Sequence, residues 1–69
     1  MSPERLAYMA NQIGKFFAHR QEGAAAAAIA DHLRKFWDPR MRKQIVAMLD
    51  EPGNELDPTV RKAVESLRL

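Results

Sequence analysis

Apolar residues in this chain recur at steps of three and four, the spacing that gathers them on one face of an α-helix. Leu6, Met9, Ile13, Phe16 and Phe17 form a first stripe, with Tyr8, Asn11, Gln12 and Lys15 on the other side. Ala26, Ile29, Ala30, Leu33 and Phe36 form a second, Met41, Ile45, Met48 and Leu49 a third, and Val60, Val64 and Leu67 a fourth. No segment alternates apolar and polar residues as a half-buried strand does, and β-branched residues are sparse.

Proline marks where the stripes begin. Ser2-Pro3, Asp38-Pro39 and Asp57-Pro58 each set a capping side chain before a proline. That pairing opens a helix, because the cap accepts a bond from an otherwise unpaired N–H and proline lacks the donor that would go unused there. Gly23 marks another break, and Glu51-Pro52-Gly53-Asn54 stops the third helix. Helices are therefore predicted over about residues 3–19, 24–37, 39–50 and 58–67. The fold class is all-α, a small bundle of three to four short helices joined by short turns, one domain over residues 1–69. Gly14 reads as a weak point in the first helix, costing ~1 kcal/mol relative to alanine. The alanines from Ala24 to Ala28 favour helix and offer a smooth surface for close helix approach.

Size limits how stable such a bundle is. A 69-residue chain hides only about 60% of the surface its unfolded form exposes. Small domains commonly add disulfides, a metal or a partner. Cysteine is absent, which removes disulfides and thiolate metal sites and suits a reducing compartment. A partner is the stabiliser left. The longest apolar run, Ala24 to Ala30, is seven residues, far short of the ~20 that span a bilayer. Met1 to Leu6 shows no basic stretch leading into an apolar run, so a soluble cytoplasmic chain is expected.

Charge and chemistry narrow the function. The net charge is only +2, yet Arg34, Lys35, Arg40, Arg42 and Lys43 cluster between His32 and Lys43 against Asp38 alone. These residues flank a turn between two helices, which leaves a small nucleic-acid-binding regulator as an alternative. The low total charge weighs against it, since nonspecific affinity follows the number of phosphates neutralised. Ser2 and Ser66 have no evident His–acid partner, and Gly14, Gly23 and Gly53 make no phosphate-cradling loop. His32 flanks the second stripe without a convergent ligand set. No catalytic, cofactor-binding or metal-binding residue is expected.

The five aromatics, Tyr8, Phe16, Phe17, Phe36 and Trp37, all lie in the first 37 residues. Phe16 and Phe17 are assigned to the core before the surface. Tyr8 lies opposite the first stripe. Trp37, at a turn beside basic residues, is equally suited to the core or to an interface, where Trp, Tyr and Arg are common anchors.

Three runs carry a resemblance: HLRKFWDPRMR at 32–42, MANQIGKFF at 9–17 and LDPTVRKAV at 56–64. In this order they closely resemble the delta subunit of bacterial NAD-dependent, molybdenum-containing formate dehydrogenase, over nearly the whole chain from Met1 to Leu67. The resemblance implies a noncatalytic cytoplasmic accessory subunit associated with assembly or stability of the complex. Such enzymes oxidise formate and reduce NAD with a molybdenum or tungsten pterin, iron–sulfur clusters and flavin, all held by larger subunits. A chain without cysteine has no thiolate to offer a cluster. On this reading the partners are the larger subunits, the catalytic alpha subunit foremost, with no membrane and with self-association open to the isolated chain. The expected partner-binding residues are Trp37, Arg40, Met41 and Arg42, extended by Tyr8 and Asn11. Phe36 and Met41 also serve the core, so Trp37, Arg40 and Arg42 are the ones that folding alone leaves over. A permanent subunit and a transient maturation factor stay equally open.

Overall fold

The computed structural model describes residues 2–68. They form four α-helices and one 3-10 turn, with no strand: α1 is Pro3–Phe16, α2 Glu22–Phe36, α3 Pro39–Ala47, the 3-10 turn Met48–Asp50, and α4 Pro58–Glu65. The architecture is the all-α bundle that the apolar spacing predicts.

Local chemistry accounts for most of the boundaries. Ser2 Oγ accepts from the Arg5 N–H at 3.2 Å and Asp38 Oδ1 from the Met41 N–H at 2.9 Å, each closing a helix N-terminus before a proline. Asp57 departs from the expectation. Its side chain makes no capping bond, and α4 starts on Pro58 with the Asp57 carbonyl accepting from the Arg61 N–H at 2.8 Å. The first helix ends at Phe16 rather than near His19, because the Phe17 and Ala18 amides turn back to Gly14 and Lys15. The second begins at Glu22, so Gly23 lies inside it. The acid in its first turn favours the positive end of the helix dipole.

The core gathers Leu6, Ala7 and Ala10 from α1, Ile29, Ala30 and Leu33 from α2, Ile45 from α3, and Val60, Ala63 and Val64 from α4. Trp37, Met48 and Leu56 join from the segments between helices. The most extensive helix pairing is α2 with α4, and alanines line both sides of it: Ala26 and Ala30 on α2, Ala63 on α4. Small side chains let the axes approach, and the described chain measures 28 × 24 × 19 Å.

Two expected core positions face solvent instead. Phe16 is 75% exposed and Phe36 72% exposed. Each is the last residue of its helix, where the chain turns away and no further turn covers the ring. Met9, Ile13, Phe17, Met41, Leu49 and Leu67 are half-buried against the core.

Gly14 has a role the sequence did not suggest. A β-carbon there would lie 2.5 Å from Val60 Cγ2 and 3.7 Å from Ile29 Cδ1. The valine methyl sits on a stiff β-branched side chain in the buried face of α4 and has little room to yield. Gly14 is thus a point of close approach between α1 and α4, where a side chain has no room. Gly14→Ala is expected to destabilise by ~1–3 kcal/mol, as overpacking does, instead of gaining the ~1 kcal/mol of helix propensity. Thermal melts monitored by circular dichroism should show a lower Tm for Gly14→Ala and recovery in Gly14→Ala/Val60→Ala. An unchanged or higher Tm for the single variant would remove the close-approach argument.

Candidate docking face

The six residues expected to bind a partner occupy quite different environments. Trp37 is 6% exposed and belongs to the core. It stands four residues beyond the buried Leu33, to whose carbonyl its N–H donates at 3.0 Å, so its indole continues the buried face of α2 before the chain goes extended at ψ 137°. Met41 is half-buried against the same core. Asn11 is half-buried and engaged within the chain: its Nδ2 donates to the Glu55 carbonyl at 2.9 Å, and its Oδ1 accepts from the Asp57 N–H at 3.0 Å. Arg42 Nη1 donates to the Arg34 carbonyl at 3.1 Å, in the last turn of α2. Tyr8, 63% exposed, and Arg40, exposed at the start of α3, remain on the surface.

Asn11 explains how the loop before α4 is held. Glu55 adopts φ 61°, a left-handed geometry that non-glycine residues rarely take. Asn11 binds the backbone on both sides of Leu56, and Asn54 Oδ1 accepts from the Leu56 N–H at 3.0 Å. The Asn54 amide also donates to the Met48 and Glu51 carbonyls, each at 3.2 Å. The two asparagines together seat Leu56 in the core, a contact between distant segments that no stripe in the sequence marks.

The basic cluster is also partly engaged. Arg34 Nη2 donates to the Ser66 carbonyl at 3.2 Å, and Lys35 pairs with Asp31 at 3.0 Å. Arg34, Arg42, Lys43 and Arg68 border a shallow open groove between the ends of α2, α3 and α4. Among the described residues, the side chains of Arg40 and Lys43 have no hydrogen-bond or ion-pair partner.

A second surface feature comes from residues first assigned to the core or left aside. Phe16 and Phe17 meet edge to face with centroids 5.2 Å apart. Phe17 meets His32 at 6.4 Å, and His32 meets Phe36 at 4.7 Å with rings tilted by 42°. The Arg20 guanidinium lies over Phe17 at 5.1 Å from its centroid. The result is an aromatic strip running from the end of α1 to the end of α2, with a solvent-exposed phenyl ring at each end. The i, i+4 spacing of His32 and Phe36 was the sequence signal for it, but the register between α1 and α2 was not.

Among the described residues, no group of three or more His, Asp or Glu side chains is placed to hold a metal ion, and no helix is long and apolar enough to cross a membrane. The fold and its surface define a small helical protein whose distinctive exposed feature is apolar and aromatic. The family described as the NADH-dependent formate dehydrogenase delta subunit, FdsD, matches residues 5–64. The chain belongs to that family. Among curated proteins and among solved structures, nothing matches it significantly.

Two substitutions separate folding from contact. Trp37→Ala should cost ~3–5 kcal/mol, the range for emptying a large core site, and lose helical circular dichroism at modest temperature. Arg40→Glu should leave helicity and Tm within ~0.5 kcal/mol of the parent, as exposed substitutions usually do. A Trp37→Ala variant that melts like the parent would show the indole to be dispensable to the core.

Proposed function

We propose that this chain is a noncatalytic accessory subunit of a cytoplasmic formate dehydrogenase, docking on the larger subunits and supporting assembly or stability of the complex. The observation that carries this reading is the family match over residues 5–64 of a 69-residue chain. The catalytic alpha subunit is the foremost partner. The cofactors for formate oxidation belong to the larger subunits, and this chain offers them no thiolate.

The physical role follows from mass action. A partner that binds only the folded chain stabilises it by RT ln(1 + [L]/Kd), about 2.7 kcal/mol when the partner is at a hundred times Kd. A bundle this small gains materially from such a term. The same linkage stabilises the segment of the larger subunit that the chain covers, so the benefit is shared. Of the six residues first singled out, Tyr8 and Arg40 suit direct contact. Trp37, Asn11, Met41 and Arg42 support it by holding the fold.

The test is purification of the active enzyme with and without this chain. Size exclusion of the complex should bring the chain out with formate-dependent NAD reduction. Cells lacking the chain should yield severalfold less assembled enzyme. Co-elution identifies a lasting subunit. Reduced yield without co-elution identifies a transient assembly factor. Normal yield together with no association at any stage would overturn the accessory role.

A further inference from the structure

Three surface features are available for a partner: the basic groove at the ends of α2, α3 and α4, the isolated ring of Tyr8, and the aromatic strip. In the groove, Arg34 and Arg42 already donate to backbone carbonyls of this chain, and Arg68 pairs with Asp50 at 3.1 Å. Tyr8 has no aromatic neighbour and is a single exposed ring of an ordinary kind. The strip is different. Phe16 and Phe36 are among the largest apolar side chains and stand about three-quarters in solvent, joined through Phe17 and His32. Met9 and Ile13 lie on the same flank of α1 as Phe16, at i, i+4 and i+7, and are half-buried.

Charge indicates what covers it. Arg20 stacks on Phe17, and neither it nor the exposed Lys15 has an acid partner among the described residues, while Asp38 and Arg40 beyond Phe36 offset each other in charge. Lys35 borders the strip beside Phe36 and is matched by Asp31. The excess charge is therefore positive at the Phe16 end of the strip. A segment that sets apolar side chains on the rings and a carboxylate at the Phe16 end meets both the apolar and the charge requirement.

We infer that the strip Phe16–Phe17–His32–Phe36 is the surface by which this chain docks, and that its occupant is an apolar segment flanked by Asp or Glu on a larger formate dehydrogenase subunit. This rests on the accessory-subunit reading above. Phe16 and Phe36 are the anchors, since large aromatics that become fully desolvated dominate binding energy. Lys15 and Arg20 supply orientation and a salt-dependent part of the affinity.

The test uses the co-expressed, intact complex. Phe16→Ser/Phe36→Ser should lower the amount of this chain retained on the enzyme by about tenfold or more, the loss of a tenfold factor per ~1.4 kcal/mol of hot-spot energy. Glu65→Gln, at an exposed position on α4, should change retention less than about twofold. Lys15→Glu/Arg20→Glu should lower retention at low salt and flatten its dependence on ionic strength. A photo-crosslinking phenylalanine at position 16 or 36 supplies a readout that tolerates any loss of fold in the serine variant. It should link this chain to a larger subunit, within a peptide that contains Asp or Glu. Full retention of the double serine variant, or links to larger subunits from Lys43 and Arg68 positions but none from 16 or 36, would overturn the surface while leaving the accessory role intact. Links from 16 or 36 to a second copy of this chain would assign the strip to self-association and also overturn it. Normal enzyme yield without the chain, together with no association of the unmodified chain at any stage, would remove the accessory role and the surface together.

Discussion

The break at Trp37 sets much of the rest. α2 keeps helical geometry through Phe36, and then Trp37 and Asp38 go extended, with ψ values of 137° and 163°. Proline at 39 favours such geometry in the residue before it and opens α3 directly. Trp37 stands four residues after Leu33 and seven after Ala30, so its indole continues the buried face of α2, and its N–H still donates to the Leu33 carbonyl at 3.0 Å. The extended step then turns the chain beyond it into α3. Phe36, about 100° away around the helix, stays outside.

Close packing elsewhere depends on small residues placed where helices meet. Ala7 and Ala10 on α1, Ala26 and Ala30 on α2, and Ala63 on α4 are all buried, and Gly14 stands against Val60. Alanine contributes little apolar area by itself. Its value here is to bring Leu6, Ile29, Leu33, Ile45 and Val64 within reach of one another, all with essentially no exposure. The ion pairs add little by comparison. Lys62–Glu22, Lys35–Asp31 and Arg68–Asp50 are all on the surface, where such pairs contribute about 0–1 kcal/mol. A core made of small residues at the crossings and branched ones between them has limited volume. This is why aromatic rings at the helix ends are left uncovered.

The fold was largely legible because period and punctuation agree. Pro3, Pro39 and Pro58 mark three starts, and the stripes through Leu6, Leu33, Ile45 and Val64 mark the faces that are buried. Legibility fails where a residue's environment is set by a distant segment. Leu56 is buried because Asn11, 46 positions before Asp57, binds the loop around it. Gly14 is required because Val60 lies opposite. Periodicity also gives no warning at helix ends: Phe16 and Phe36 continue their stripes but have no neighbour to cover them. The contact surface was the least legible part. Residue types suggested Trp37 and the arginines as anchors, whereas burial and hydrogen bonding engage Trp37 and Arg42 within the fold.

The two surfaces differ in what binding would cost. Drawing the Arg34 or Arg42 guanidinium to a partner breaks a bond to a helix-end carbonyl, so the net gain is the difference between two charge-assisted hydrogen bonds. Covering Phe16 and Phe36 breaks no internal bond. Each Å² of apolar surface removed from water contributes about 25 cal/mol, and the exposed rings are already ordered by contacts with Phe17 and His32. Pre-ordered side chains also lose less conformational freedom on binding. The basic turn is thus better suited to holding α2, α3 and the end of α4 together, and the aromatic strip to meeting a partner.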